Sequence, residues 1–216
     1  MPHLIEAIRN SKLNKAITQL EQTHKLIVDA AILAQKEVGS VKSSWGSDLK
    51  RLEVSLPKGY LLGKPKEKLV EIINILATTE RTIAALKWLE SEYPNASLQE
   101  CHSSTSDDPE GNDIVLVNPK SGNIVVRCEV TDISSNNAAQ NGKEKKDLES
   151  LGCSSEVPSD GVKRYIATSL EFSNALKSKK RKWKSKHYRY IGHKTTCHNQ
   201  TVILEIVNAK DKHENM

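Results

Sequence analysis

Apolar and small residues recur by threes and fours at Leu13, Ile17, Leu20, Ile27, Ala31, Ala34 and Val38, and this stripe predicts a long amphipathic helix from about residue 4 to 38. His24 falls on the stripe, where a packed or interfacial histidine is expected. Residues 39–66 contain Gly39, Gly46, Pro57, Gly59, Gly63 and Pro65, which predicts loops with at most short elements. A second helix is expected from about Pro65 to Glu92, stopping before Pro94.

Beyond Pro94 the period changes. "ASLQECHS", "NDIVLV", "NIVVRCEV", "KRYIATS", "YRYIGHK" and "TVILEIV" are short runs rich in Val, Ile and Tyr, the composition of strands. "NPKSG" at 118–122 supplies a turn between the second and third. Leu148 and Leu151 within residues 141–152 predict a helix that ends near Gly152, and residues 169–180 predict another capped by Ser169. From residue 66 the order is helix, three strands, helix, strand, helix, strand, strand, which implies an α/β layered domain with a mixed sheet. Residues 1–65 then form an N-terminal helix-and-loop extension, and residues 66–216 the main domain.

A chain of 216 residues, 37% hydrophobic and 27% charged, has enough apolar material for a core without disulfides. No apolar stretch approaches the roughly 20 residues that a bilayer requires. The start, MPHLIEAIRNSK, lacks the order of a secretory signal, so a cytoplasmic protein is expected. Cys101, Cys128, Cys153 and Cys197 are widely spaced and predict free thiols. His193, Cys197 and His198 have spacings that suit zinc, but no second cluster completes a four-ligand site, and a polar loop is the alternative.

The net charge of +5 is unevenly distributed. From Lys177 to Arg189 the run "KSKKRKWKSKHYR" has eight Lys or Arg residues and no acid. Lys179, Lys180, Arg181, Lys182, Lys184, Lys186 and Arg189 are candidate phosphate contacts, and Trp183, Tyr188 and Tyr190 interleave aromatic faces for stacking. A solvated charged loop is the other reading of such a run.

The stretch "GNDIVLVNPKSGNIVVRCEVTD", residues 111–132, carries the candidate chemistry. In a hairpin, Asp113 at the start of one strand lies near Glu129 at the end of the next. Two carboxylates so placed suit one magnesium ion, which accepts few protein ligands and keeps several waters, and such an ion promotes phosphodiester hydrolysis.

Gly111, Asp113, the apolar Ile114 to Val117, then Ile124 to Val126 and Glu129 resemble the PD-(D/E)XK nuclease superfamily, which contains most type II restriction endonucleases. The order of elements over roughly residues 66–170 is similar as well. The resemblance implies a restriction-endonuclease-like core and a magnesium-dependent, site-specific endonuclease acting on double-stranded DNA, with Asp113 and Glu129 as metal ligands. It also implies a lysine two residues beyond the second acid, and here that position is Thr131, followed by Asp132. Some members carry this amine on the following helix, which makes Lys143, Lys145 and Lys146 the candidates, with Gln140 just ahead. Glu80 shares a helix face with Leu69, Ile72, Ile73, Leu76 and Ile83, and similar sites take an extra ligand from that helix, so Glu80 is a candidate third carboxylate; an edge-of-stripe residue paired with Lys87 or Arg81 is the other reading. The N-terminal stripe needs a cover, which a two-fold partner in a homodimer or the chain's own domain would supply. The competing expectations are a nucleic-acid-binding protein of this fold without cleavage, and an unrelated α/β protein.

Overall fold

The computed structural model describes residues 8–38, 53–55, 66–102, 112–131, 145–153, 156–177, 188–194 and 201–208. Strand β1 (Ile8–Ser11) leads into α1 (Leu13–Val38), and the short strands β2 (Glu53–Ser55) and β3 (Lys66–Lys68) pair antiparallel with each other. Then follow α2 (Leu69–Glu92), β4 (Ser97–Cys101), β5 (Ile114–Val117), β6 (Ile124–Val130), α3 (residues 145–150), β7 (Lys163–Ser169), α4 (Leu170–Lys177), β8 (Tyr188–Lys194) and β9 (Thr201–Asn208).

Seven strands form one mixed sheet in the order β1-β4-β5-β6-β7-β9-β8. β4, β5 and β6 run as an antiparallel meander, and β6 pairs parallel with β7 after the chain crosses over through α3. The β5–β6 turn is set locally: Asn118 Oδ1 accepts the N–H of Lys120 at 2.9 Å, and Gly122 adopts the left-handed φ of 73°.

Alternation along the strands sends side chains to two separate cores. On one face Leu98, Ile114, Leu116, Val126, Cys128, Val130, Tyr165 and Ile203 pack with α1 and α2. On the other, Ile166, Val202, Leu204 and Ile206 pack with Leu148 and Leu151 of α3 and Phe172 of α4. Helices thus cover both faces of the sheet.

The first residues correct the expected helix from residue 4, because Ile8–Ser11 forms an edge strand paired with β4 and the helix starts at Leu13. The first part of the α1 stripe is covered within the chain: Leu13, Ala16, Ile17 and Leu20 belong to the same core as the sheet and α2. Along the α1–α2 seam Lys87 Nζ lies 2.7 Å from Glu21 Oε1. The buried side of α2 also differs from the expected one. It runs through Ile72, Ile75, Thr79, Thr82, Leu86 and Leu89, while Ile73 is 52% exposed. Counting apolar residues alone misses this stripe, because two of its positions are threonines, and Thr82 stays buried by donating its hydroxyl to the Thr78 carbonyl at 2.8 Å.

Two helix ends follow from local sequence. Ser169 caps α4 by accepting the Phe172 N–H on Oγ at 3.1 Å. α3 ends in a Schellman motif: the Cys153 N–H reaches the Leu148 carbonyl at 2.7 Å, the Gly152 N–H reaches the Glu149 carbonyl at 2.9 Å, and Gly152 has φ 74°. Gly152→Ala is therefore expected to destabilise the protein by about 1 kcal/mol, measured as a lower urea midpoint at unchanged slope. Among the described residues no helix is long and apolar enough to cross a membrane.

Candidate active site

The β5–β6 register brings the two acids together. Ile114 lies opposite Cys128, and both point into the core shared with α1 and α2. One step further along, Asp113 and Glu129 therefore fall opposite each other on the α3 side of the sheet. Asp113 Oδ2 accepts the backbone N–H of Val130 at 2.7 Å, which fixes the first acid against the end of β6.

Asn112 joins this pair to its surroundings. Only 4% exposed, it donates from Nδ2 to Glu129 Oε1 at 2.7 Å and to the Ser150 carbonyl at 3.0 Å. Its Oδ1 accepts Nη1 of Arg127 at 2.7 Å. One amide thus ties the end of β6 to α3 and carries an arginine on its other side, one amide removed from Glu129.

Glu129 is 6% exposed. Burial first, then the Asp113 carboxylate and to a smaller extent that of Asp147, raise its carboxyl to about 9, against the hydrogen bonds from Asn112 and Ser150 that favour the anion. Asp147, on α3 and 4% exposed, is the third carboxylate of the neighbourhood.

The expected amine on the following helix does not reach the acids from the described positions. Leu148 and Leu151 anchor α3 on the sheet, and Asp147 turns inward with Leu148. Lys145 and Lys146 are exposed, and Lys145 Nζ lies 3.6 Å from Glu149 Oε1. Lys145→Ala and Lys146→Ala are accordingly expected to leave any cleavage rate at the wild-type level in single-turnover assays. Lys143 lies outside the described residues, and Thr131, at the usual lysine position, is fully buried.

Glu80 is likewise not brought to the pair. α2 covers the opposite face of the sheet from Glu129, and Glu80 Oε1 lies 3.0 Å from His24 Nε2 on α1. This contact also accounts for the histidine on the α1 stripe.

Of the basic segment, Lys179, Lys180, Arg181, Lys182, Trp183, Lys184 and Lys186 lie outside the described residues, as do Cys197 and His198 of the zinc alternative. Arg189 stands half-buried on β8, and Tyr190 packs against the α3–α4 core. Cys101, Cys128 and Cys153 are buried free thiols, as expected.

Asn112, Arg127 and Asp147 were not singled out by sequence reasoning. For Asp147 the signal was present, since in "KDLESLG" it directly precedes Leu148, which with Leu151 marks the inward side. The signal for Asn112 was only its place before Asp113.

Asp113 and Glu129 offer hard oxygen donors from apposed strand positions, the donor type that magnesium takes. Among the described residues no group of three or more His, Cys, Asp or Glu side chains is placed to hold a metal ion. Protein-family models, curated proteins and solved structures gave no match to this chain.

Proposed function

We propose that the chain is a magnesium-dependent nuclease that hydrolyses phosphodiester bonds in double-stranded DNA, with Asp113 and Glu129 holding the ion. The observation that carries the reading is the apposition of these acids across the β5–β6 hairpin, with Asn112 and the Val130 N–H each engaging one of their oxygens. The chain order around them adds support. A helix, an antiparallel meander, a crossover helix and a parallel strand follow one another from α2 to β7, the order that the PD-(D/E)XK resemblance implies.

A magnesium ion bound there supplies a polarised phosphate oxygen and a water of lowered pKa. The chain's own share is to hold the two anionic oxygens at a fixed separation and to orient Glu129 through Asn112. Restriction-type site specificity belongs to the same proposal, as does a homodimer in which paired sites cut both strands of a palindrome.

The test is incubation of purified protein with duplex DNA and magnesium, against the same mixture with EDTA. Discrete fragments only with magnesium support the reading, and intact DNA in both overturns it. A second reading, binding without cleavage, is favoured by Thr131 at the lysine position and by the exposure of Lys145 and Lys146. It predicts salt-sensitive DNA binding with no cutting at any magnesium concentration.

A further inference from the structure

The nuclease reading calls for a cation beside Asp113 and Glu129, and neither Thr131 nor the described lysines of α3 provide it. A cation does stand on β6 at the mirror position. Arg127 precedes Glu129 by two residues, as the lysine would follow it by two, and strand alternation places both side chains on the α3 side of the sheet.

The arginine is half-buried and held at one point. Its Nη1 donates to Asn112 Oδ1 at 2.7 Å, and Asn112 is itself held by Glu129 and Ser150. A guanidinium has five N–H donors in a rigid fork. This bond is the one that Arg127 makes among the described residues, and it forms no ion pair there with either neighbouring acid. A fixed positive charge one amide removed from Glu129, with most of its donors uncommitted, is suited to an incoming anion. Its planar fork matches the oxygens of a phosphate.

We propose that Arg127, held on Asn112 by one arm, engages the substrate phosphate with the other and offsets its charge in place of the lysine; this rests on the nuclease reading. A guanidinium offers donors and no acceptor, so Arg127 binds and orients the phosphate but takes no proton from the attacking water.

Arg127→Gln removes the charge and, being two atoms shorter, also the Nη1 bond to Asn112 Oδ1. Arg127→Lys keeps the charge and removes the second arm. Each variant is compared with wild type by circular dichroism and thermal midpoint, by duplex-DNA binding in EDTA across a range of KCl, and by single-turnover cleavage with magnesium at saturating DNA. The Gln variant is expected to flatten the log-log salt slope by about 0.9, the loss of one phosphate contact. It should also cut about a hundredfold more slowly, as for removal of one donor to a reacting oxyanion. The Lys variant is expected to keep the wild-type slope and cut more slowly than wild type. A folded Gln variant with wild-type slope and rate overturns the inference. If that variant does not fold, the Lys variant decides, since a wild-type rate in it overturns the two-armed contact. Cutting by wild type with both variants unaffected fails this inference alone, whereas a wild-type protein that does not cut fails the nuclease reading and the inference with it.

Discussion

Asp113→Asn and Glu129→Gln are each expected to reduce DNA cleavage by about a hundredfold or more, since removing a metal ligand costs at least as much as removing the partner that orients one. Either change removes an anionic oxygen without altering side-chain shape. The Asp113→Asn variant would keep a carbonyl oxygen for the Val130 N–H, which Asp113 Oδ2 now accepts at 2.7 Å. The Glu129→Gln variant likewise keeps an acceptor for the Asn112 amide, now 2.7 Å from Oε1. The folds should therefore survive, and binding of duplex DNA with them. Cleavage at the wild-type rate by either folded variant would sink the metal-site assignment, and circular dichroism and anisotropy would separate that result from a failure to fold or bind.

The second large effect is on stability. In EDTA the protein is expected to lose stability as pH rises from about 5 towards 9, because buried Glu129 has its carboxyl raised to about 9 in the fold while an unfolded chain ionises it near 4.5. Between those values the folded state binds the proton that the unfolded state has released, so stability is fully present below the lower value and declines through the upper one. A shift of this size corresponds to roughly 6 kcal/mol at most. Thermal midpoints taken across this range should fall for wild type and stay nearly level for Glu129→Gln, which carries no ionisable group there. Magnesium at the alkaline end should recover much of the loss in wild type, by neutralising the buried anion and by binding only the folded state. A flat wild-type profile would show that the Glu129 carboxyl is not held neutral by its surroundings.

Much of the fold was determined by the sequence alone, because the features concerned are local. The strand runs from residue 97 onward, the turn at Asn118–Gly122, the Ser169 cap and the Gly152 helix end each depend on side chains within a few residues of one another. The apposition of Asp113 and Glu129 was legible for the same reason, since one hairpin register sets it. Tertiary structure decided what those local patterns meet. Ile8–Ser11 becomes a strand because β4, about ninety residues away, offers an edge to pair with. Glu80 turns to His24 because α1 packs along α2, and that partner lies fifty-six residues distant. In α3 the lysines face solvent and Asp147 turns towards Glu129, because Leu148 and Leu151 must bury against the sheet and thereby fix the helix's rotation. Periodicity reports which side of an element is apolar. Which polar groups gather on a given side, such as Arg127, Asn112 and Ser150 around Glu129, is settled only when distant elements pack and buried hydrogen-bonding groups must find partners.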